Sequence, residues 1–259
     1  MNDNLIQWPK AKYWTKQWNP VIGCKPCSPA CENCYAAEWA KRFGQSFEPH
    51  ETKKRPPRSG IVFCGNMTDL FGEWRYFDDM VYDVQRAVGS LGRANYLWLT
   101  KRVENMSKVL AEGVAEITYN GRDPDASDTL RFSQLDMSNH YFGFTAENQE
   151  MLEKRIKEFA IPPAQYNIWL SCEPLLGPID MWNTAPMFYD WVVVGCESGP
   201  NRRPCKIEWV ESIVEQCKAA RIPVFVKQLD IGGKCVTDIT KFPKHLQIRQ
   251  VLWAKEVEK

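Results

Sequence analysis

The chain has 259 residues, room for one large domain or two small ones and for a core that needs no covalent staples. Hydrophobic residues make up 44%, which excludes intrinsic disorder, and 33 Lys plus Arg against 32 Asp plus Glu exclude a polybasic nucleic-acid binder while leaving space for a local basic groove. No apolar run approaches the roughly 18 residues of a membrane span, and the opening MNDNLIQWPK holds no hydrophobic signal segment, so a cytoplasmic protein without a membrane partner is expected.

In chain order, residues 21–24 are a short apolar run leading into a cysteine-rich loop. Ala36, Ala40 and Phe43 then share a helical face, with Glu38, Lys41 and Arg42 opposite. Residues 45–59, polar and proline-containing, read as loop, and 61–64 as a strand. Phe77, Met80, Val81, Val84 and Val88 recur at helical spacing. Strand 96–100 (YLWLT) precedes a helix over 103–111 with Val103, Met106 and Leu110 inward. Residues 113–139 lack periodicity and read as an insertion or lid. Strand 141–145, a helix marked by Leu152, Ile156 and Phe159, and strands 168–172 and 191–195 follow. Val210, Ile213, Val214 and Cys217 define a last helix, and strand 223–226 closes the series.

Strand runs alternating with helical patterns argue for parallel βαβ units in an α/β chain. A doubly wound sheet fits that alternation, and so does a barrel. The polar residues favour the barrel, because nearly every strand ends in them: Asn66 and Asp69; Thr100, Lys101 and Arg102; Thr145, Glu147 and Asn148; Ser171 and Glu173; Glu197 and Ser198; Lys227 and Gln228. In barrels the carboxyl ends of the strands carry the active site, although any one such residue also suits an ordinary helix cap. The expectation is a single domain over 1–259, a partial TIM-like (β/α)6–7 barrel with its core at about 18–230 and a C-terminal extension at 231–259.

Four of the ten cysteines, Cys24, Cys27, Cys31 and Cys34, fall in the stretch GCKPCSPACENCY. Ten are too dilute for a disulfide scaffold, and a tight thiol cluster in a reducing compartment points to metal. Zinc prefers two C-x2-C knuckles a dozen or more residues apart. Closely spaced thiolates around one corner of a cube are the habit of iron–sulfur clusters, and Cys27-x3-Cys31-x2-Cys34 is the spacing used by radical S-adenosylmethionine enzymes. Zinc and plain buried thiols remain the alternatives. The six other cysteines read as core residues. No phosphate-binding glycine loop or nucleophile elbow is present, and His50, His140 and His245 form no metal pattern.

Trp18-Asn19-Pro20, Gly23-Cys24, Ser28-Pro29 and Cys31-x2-Cys34-Tyr35 resemble the signature of a phage-associated, radical-SAM-like family of largely unknown function. Further blocks agree in order: NMTDLF (66–71), LTKR (99–102), TAENQE (145–150), LSCEPLLGPI (170–179), VVGCESGPNRRP (193–204) and FVKQ (225–228). The resemblance implies a radical-SAM-type barrel, a [4Fe-4S] cluster, S-adenosylmethionine and an external electron donor such as a flavodoxin or ferredoxin. A phage-encoded copy would work in the host cytoplasm. The family pattern has its three cysteines where Cys24, Cys31 and Cys34 stand; Cys27 is extra, so the third ligand beside Cys31 and Cys34 is Cys24 or Cys27.

In radical-SAM barrels the turn after the second strand receives the methionine ammonium, which implies Asn66, Thr68 and Asp69 here; an N-cap is the alternative for Thr68 or Asp69. Thr145, Glu147, Asn148, Ser171 and Glu173 are candidates for the ribose hydroxyls and the methionine carboxylate environment, with Lys101 or Arg102 suited to the carboxylate. Glu197, Lys227 and Gln228, on later strands, are the catalytic or substrate-facing candidates. The phage context implies a nucleobase as substrate, in DNA or as a modified nucleotide such as a modified thymine. Lys53, Lys54, Arg55 and Arg58 in one loop and Arg202 and Arg203 in another are candidate phosphate contacts beside the barrel mouth, and a tryptophan a candidate stacking partner for an extruded base. A zinc-stabilised nucleic-acid-binding module using segments 53–58 and 201–206, or an iron–sulfur electron carrier, are the alternatives.

Overall fold

The computed structural model describes residues 6–90, 92–118, 127–160, 165–182 and 189–253. In chain order the elements are β1 (Ile6–Gln7), β2 (Lys16–Trp18), β3 (Val21–Ile22), α1 (Tyr35–Arg42), β4 (His50–Glu51), β5 (Ser59–Cys64), α2 (Phe77–Val88), β6 (Arg93–Thr100), α3 (Val103–Glu112), β7 (Val114–Thr118), β8 (Ser127–Arg131), β9 (His140–Thr145), α4 (Gln149–Lys157), β10 (Asn167–Cys172), β11 (Trp191–Gly195), α5 (Ile207–Ala220), β12 (Val224–Ile231), β13 (Lys234–Val236) and β14 (Gln250–Val251).

Eight strands form one sheet in the order β13-β12-β11-β10-β9-β6-β5-β2, curled into half a barrel. Every pair is parallel except β12–β13. Chain order never reverses across the parallel strands, which excludes a doubly wound sheet, whose order turns back at a switch point. One face therefore takes the helices: Val62, Trp98, Phe142 and Leu170 pack with Met80 and Val84 of α2, Met106 of α3, Leu152 of α4 and Ile213 of α5. Alternate residues point into the hollow of the curl. There Ile61, Phe63, Leu97, Tyr141, Trp169, Trp191 and Phe225 form a second core, which Tyr13 from the N-terminal arm and Val251 and Trp253 from the C-terminal segment complete.

The strands and helices expected from periodicity are present, with four differences. The apolar residues 21–24 do not supply the sheet's first strand: β3 pairs in a separate ribbon with β4, which lies inside the expected loop 45–59, and the edge strand is β2, with Trp18 buried under α2's Arg86. Phe43 ends α1 exposed rather than inward, leaving Ala36 and Ala40 as its buried face. Segment 113–139 is, in its described part, the hairpin β7–β8 and a 3-10 turn; it packs on α2 and α3 and leads into the amino end of β9, so that part does not lid the carboxyl ends of the strands. Its residues 119–126 lie outside the described residues. The expected C-terminal extension is built into the fold. β12 runs on to Ile231, turns through Gly232 and Gly233, both at positive φ, and returns as β13, the Gly-Gly chemistry of a tight hairpin. β14 then pairs with β1, near the start of the chain.

Gly143 in β9 shows how closely the hollow is filled: a Cβ there would lie 2.3 Å from the Trp169 ring. That ring cannot yield, since its Nε1–H donates to the carbonyls of Trp98 (3.1 Å) and Tyr141 (3.2 Å) and it packs on Trp191. Gly143→Ala is expected to cost about 1–3 kcal/mol by overpacking, read as a lowered urea midpoint at unchanged slope; an unchanged midpoint contradicts this packing.

Candidate functional site

The loop that carries Cys24, Cys27, Cys31 and Cys34 joins β3 to α1 and holds a single 3-10 turn, Pro29–Cys31. Much of its backbone is satisfied from the strand ends. After β5, Thr68 Oγ1 donates to the Gly23 carbonyl at 2.5 Å. After β6, Arg102 donates to the Lys25 carbonyl (2.8 Å) and to Asp69 (3.2 Å), with its guanidinium stacked 4.5 Å from the Trp74 ring centre. Beyond β9, Glu147 accepts the Ala30 N–H at 3.2 Å and pairs with Arg155 of α4 at 2.5 Å. Beyond β11, Glu197 accepts from Asn33 at 3.0 Å and from the Arg203 guanidinium, which also donates to the Pro29 carbonyl at 3.0 Å. Four strand ends thus grip one irregular loop.

Between the loop and the strand ends lies a cavity of about 380 Å³, and all four loop thiols line it. On its floor Thr145 and Ser171 sit side by side in the β9–β10 register, and both hydroxyls are buried without a hydrogen-bond partner among the described residues. Lys101, at the end of β6, lines the same cavity, and its ammonium has no hydrogen-bond or ion-pair partner among the described residues. Burial alone would lower its pKa, but Cys31, Glu147 and Asp69 outweigh this and raise it. Across the cavity Lys227 bonds Glu173 at 2.5 Å and stands 5.5 Å over the Trp14 ring.

The loop thiols are unequal. Hydrogen bonding from Cys27, then Lys101 and the backbone of Cys27 and Ser28, outweighs burial and lowers Cys31 to about 4. Cys27, holding the shared proton, is pushed far up, and burial followed by the charge of Asp69 raises Cys24 to about 11.

A family described as a protein of unknown function, DUF5131, matches residues 8–251. The chain belongs to DUF5131. No curated protein and no solved structure matches it. The cavity of this DUF5131 chain gathers most of the residues singled out in the sequence: Asn66, Thr68, Asp69, Lys101, Thr145, Ser171, Glu173, Glu197 and Lys227 with the four cysteines. It leaves out Glu147, Asn148 and Gln228. Glu147 is wholly buried behind the loop, Asn148 caps α4 by accepting the Met151 N–H at 2.9 Å, and Gln228 donates to the Cys196 carbonyl at 2.6 Å.

Within the cavity the roles also divide. Asp69 caps no helix; its two oxygens take Thr100 Oγ1, the Phe71 and Lys101 N–H groups and Arg102, which leaves no lone pair directed at an ammonium. Glu197 is similarly saturated by Asn33 and Arg203. Asn66 is half committed, accepting from Asn19 at 2.8 Å. Lys101, Thr145, Ser171 and the Glu173–Lys227 pair are the groups that face the cavity. Arg155 and Arg203 carry the loop's support; a cation on the apolar face of α4, between Leu152 and Ile156, is the sequence signal for the first. Of the expected phosphate contacts, Arg203 is occupied by Glu197, and Arg58 directly precedes β5 and accepts the Arg93 N–H, at the end of the sheet opposite the cavity.

Among the described residues, no three His, Cys, Asp or Glu side chains are gathered as a metal site. The donor set still suits a thiolate-bound group: four thiols share one cavity, and Lys101 and Arg102 stand beside them as countercharge. No helix among the described residues is long and apolar enough to cross a membrane.

Glu147 gives a pH-dependent check on the grip. Burial would raise its carboxyl, but the charge and hydrogen bond of Arg155 and the Ser28 hydroxyl hold it below the ordinary 4.5. Its contribution is therefore complete above that value and is lost as pH falls through the lower folded value. Arg155→Met strands a buried carboxylate and is expected to cost about 3–5 kcal/mol at neutral pH, with a smaller loss at acid pH, where Glu147 is protonated. Denaturant unfolding at the two pH values measures this; equal losses contradict it.

Proposed function

We propose that this protein is a radical S-adenosylmethionine enzyme, with a [4Fe-4S] cluster on its cysteine loop and S-adenosylmethionine and substrate in the cavity beneath. The observation that carries the reading is that the four thiols and the unpartnered polar groups of the strand ends line one cavity at the carboxyl end of a parallel sheet, where such sheets hold their ligands. Cys31 and Cys34 are ligands, and either Cys24 or Cys27 is the third. When bound, the reduced cluster supplies the electron that cleaves S-adenosylmethionine to a 5′-deoxyadenosyl radical.

The chain's own residues bind and orient. The Lys101 ammonium and the paired Thr145 and Ser171 hydroxyls make a donor set for the methionine carboxylate. Across the cavity, Lys227, Glu173 and Trp14 face the substrate, with the ion pair able to hold or move a proton at a bound carbonyl or amide. A nucleobase, in DNA or as a modified nucleotide such as a modified thymine, fits these groups. A stripe of exposed rings, Tyr35, Trp39 and Phe43, leads away from the cavity along α1 with Lys41 and Arg42 beside it, the pairing of stacking surface and charge that single-stranded or extruded nucleic acid requires.

Anaerobically purified protein is expected to be brown with about four irons per chain, lost in Cys31→Ala or Cys34→Ala, while Cys24→Ala and Cys27→Ala differ sharply from one another. With dithionite and S-adenosylmethionine it forms 5′-deoxyadenosine. Lys101→Met keeps its iron and weakens S-adenosylmethionine binding about 10- to 100-fold, the loss of a charge-assisted hydrogen bond. Stoichiometric zinc without iron overturns the enzyme reading.

The nucleic-acid part is read separately, by DNA binding at two salt concentrations. Lys41→Ala/Arg42→Ala should give a shallower salt slope than wild type. Absence of binding at low salt assigns the cavity to a free nucleotide.

A further inference from the structure

The segment between β4 and β5, residues 52–58 (TKKRPPR), is a strap laid along the edge of the sheet. Thr52 starts it beyond the end of β2, its N–H donating to the Pro20 carbonyl and its hydroxyl to the Asn19 carbonyl, both at 2.6 Å. Further on, the Lys54 carbonyl accepts from Trp18 Nε1 (3.1 Å) and Arg86 (2.7 Å). The Pro57 carbonyl accepts from the Tyr96 hydroxyl (2.7 Å) and the Arg58 carbonyl from the Arg93 N–H (3.0 Å). These bonds turn the strap's carbonyls toward the body of the protein, and the side chains of Lys53, Lys54, Arg55 and Arg58 are exposed. Two more exposed cations flank its far end: Lys16, which donates to Ser59 at 2.8 Å, and Arg93. None of these six has an ion-pair partner among the described residues. The acidic groups beside them are Asp83, paired with Arg75 at 2.8 Å and Arg86 at 3.7 Å, and Glu51, which ends β4.

We propose that the strap holds the phosphate backbone of a nucleic acid and leads it to the cavity, so that the base worked on belongs to a polymer and not to a free nucleotide. The inference rests on the nucleic-acid reading given above and not on the radical chemistry.

Length, charge and direction support it. The strap runs against β5, from the level of the Trp18–Cys64 pair to Ser59, which at the rise of a strand is about 20 Å. A duplex carries one charge per roughly 1.7 Å of its axis, so a row of that length spans many phosphates. With a net charge of only +1 the whole chain exerts little pull on a polyanion. Six unneutralised cations on one edge do, and their mutual repulsion is relieved when phosphates come between them. The row also points to the cavity. Asn19, whose carbonyl takes Thr52, donates to Asn66 at 2.8 Å, and Asn66 lines the cavity. The Asn66 carbonyl accepts from the Tyr35 hydroxyl at the start of α1, so the strap and the exposed rings of α1 set out from one point in the cavity wall. Residues 52–58 hold no long apolar side chain, whereas surfaces that bind membranes combine cations with such groups.

The test titrates the full-length protein with duplex DNA over a series of salt concentrations. Lys53→Gln/Lys54→Gln/Arg55→Gln removes three exposed charges and no carbonyl contact of the strap. It should bind about 10- to 100-fold more weakly at low salt, with a slope of log affinity against log salt shallower by about 2–3. Lys108→Gln/Lys154→Gln/Lys157→Gln, which removes three exposed charges from α3 and α4, should keep the wild-type slope. Wild-type binding with an unchanged slope in the strap variant overturns this inference and leaves the nucleic-acid reading standing. Equal losses in the two variants overturn it too, since the attraction is then one of overall charge. Absence of DNA binding by the wild type at low salt overturns both, and strap-dependent binding to phosphatidylglycerol vesicles in its place assigns the row to a membrane surface.

Discussion

A loop with almost no secondary structure must have its peptide groups satisfied by something else, because a buried unpaired N–H or C=O costs about as much as the hydrogen bond it lacks. In this protein the strand ends meet that demand. Gly23, Lys25, Pro29 and Ala30 each give a backbone group to a side chain that a strand of the half-barrel delivers. The delivering groups are mostly ionised and are themselves paired: Arg102 with Asp69, Glu147 with Arg155, Arg203 with Glu197. Each is a charge-assisted contact, stronger and more directional than a neutral one. The position of four thiols over the sheet depends on these three ion pairs more than on anything in the loop itself.

This arrangement separates two uses of the same residue types. Of the polar residues at strand ends, Asp69, Glu147 and Glu197 are saturated by protein partners and serve the loop, while Thr145 and Ser171 have no partner among the described residues and line the space beneath it. Burial without a partner is costly, and among the described strand-end residues that line the cavity Thr145 and Ser171 carry that cost, with the unpaired Lys101 ammonium in the same lining. Glu173 and Lys227 stand between the two groups, paired with one another and still open to the cavity.

The parts of the fold that a linear reading recovers are those with a period. β5, β6, β9, β10 and β11 are apolar runs buried on both faces, and α2, α3, α4 and α5 carry apolar residues at helical spacing. β2 is invisible to that reading because its three residues, Lys16, Gln17 and Trp18, bury one side chain only. The β12–β13 turn is marked in the sequence by Gly232-Gly233, but β13 itself has only three residues, Lys234, Cys235 and Val236, too few to show a period. Lists of polar strand ends found the site but could not say which member was free. That depends on partners far away in sequence, such as Arg155 for Glu147 and Arg203 for the loop, and no local spacing encodes them.

The half-barrel is open, and this changes what its aromatic filling does. In a closed barrel the number of strands and their stagger fix the radius. Here hydrogen bonding stops at β2 and β13, so nothing in the ladder sets how tightly the sheet curls. Tyr13, Phe63, Trp169, Trp191, Phe225 and Trp253 occupy the hollow, and the sheet is wrapped around them as around a mandrel. The width of the mouth, and with it the span between Lys101 after β6 and Lys227 on β12, is gauged in part by the bulk of Trp169, Trp191, Phe225 and Trp253, which lie outside the cavity lining. Exchanging those four rings for larger or smaller side chains would change the span of the cavity while every group that lines it stays the same.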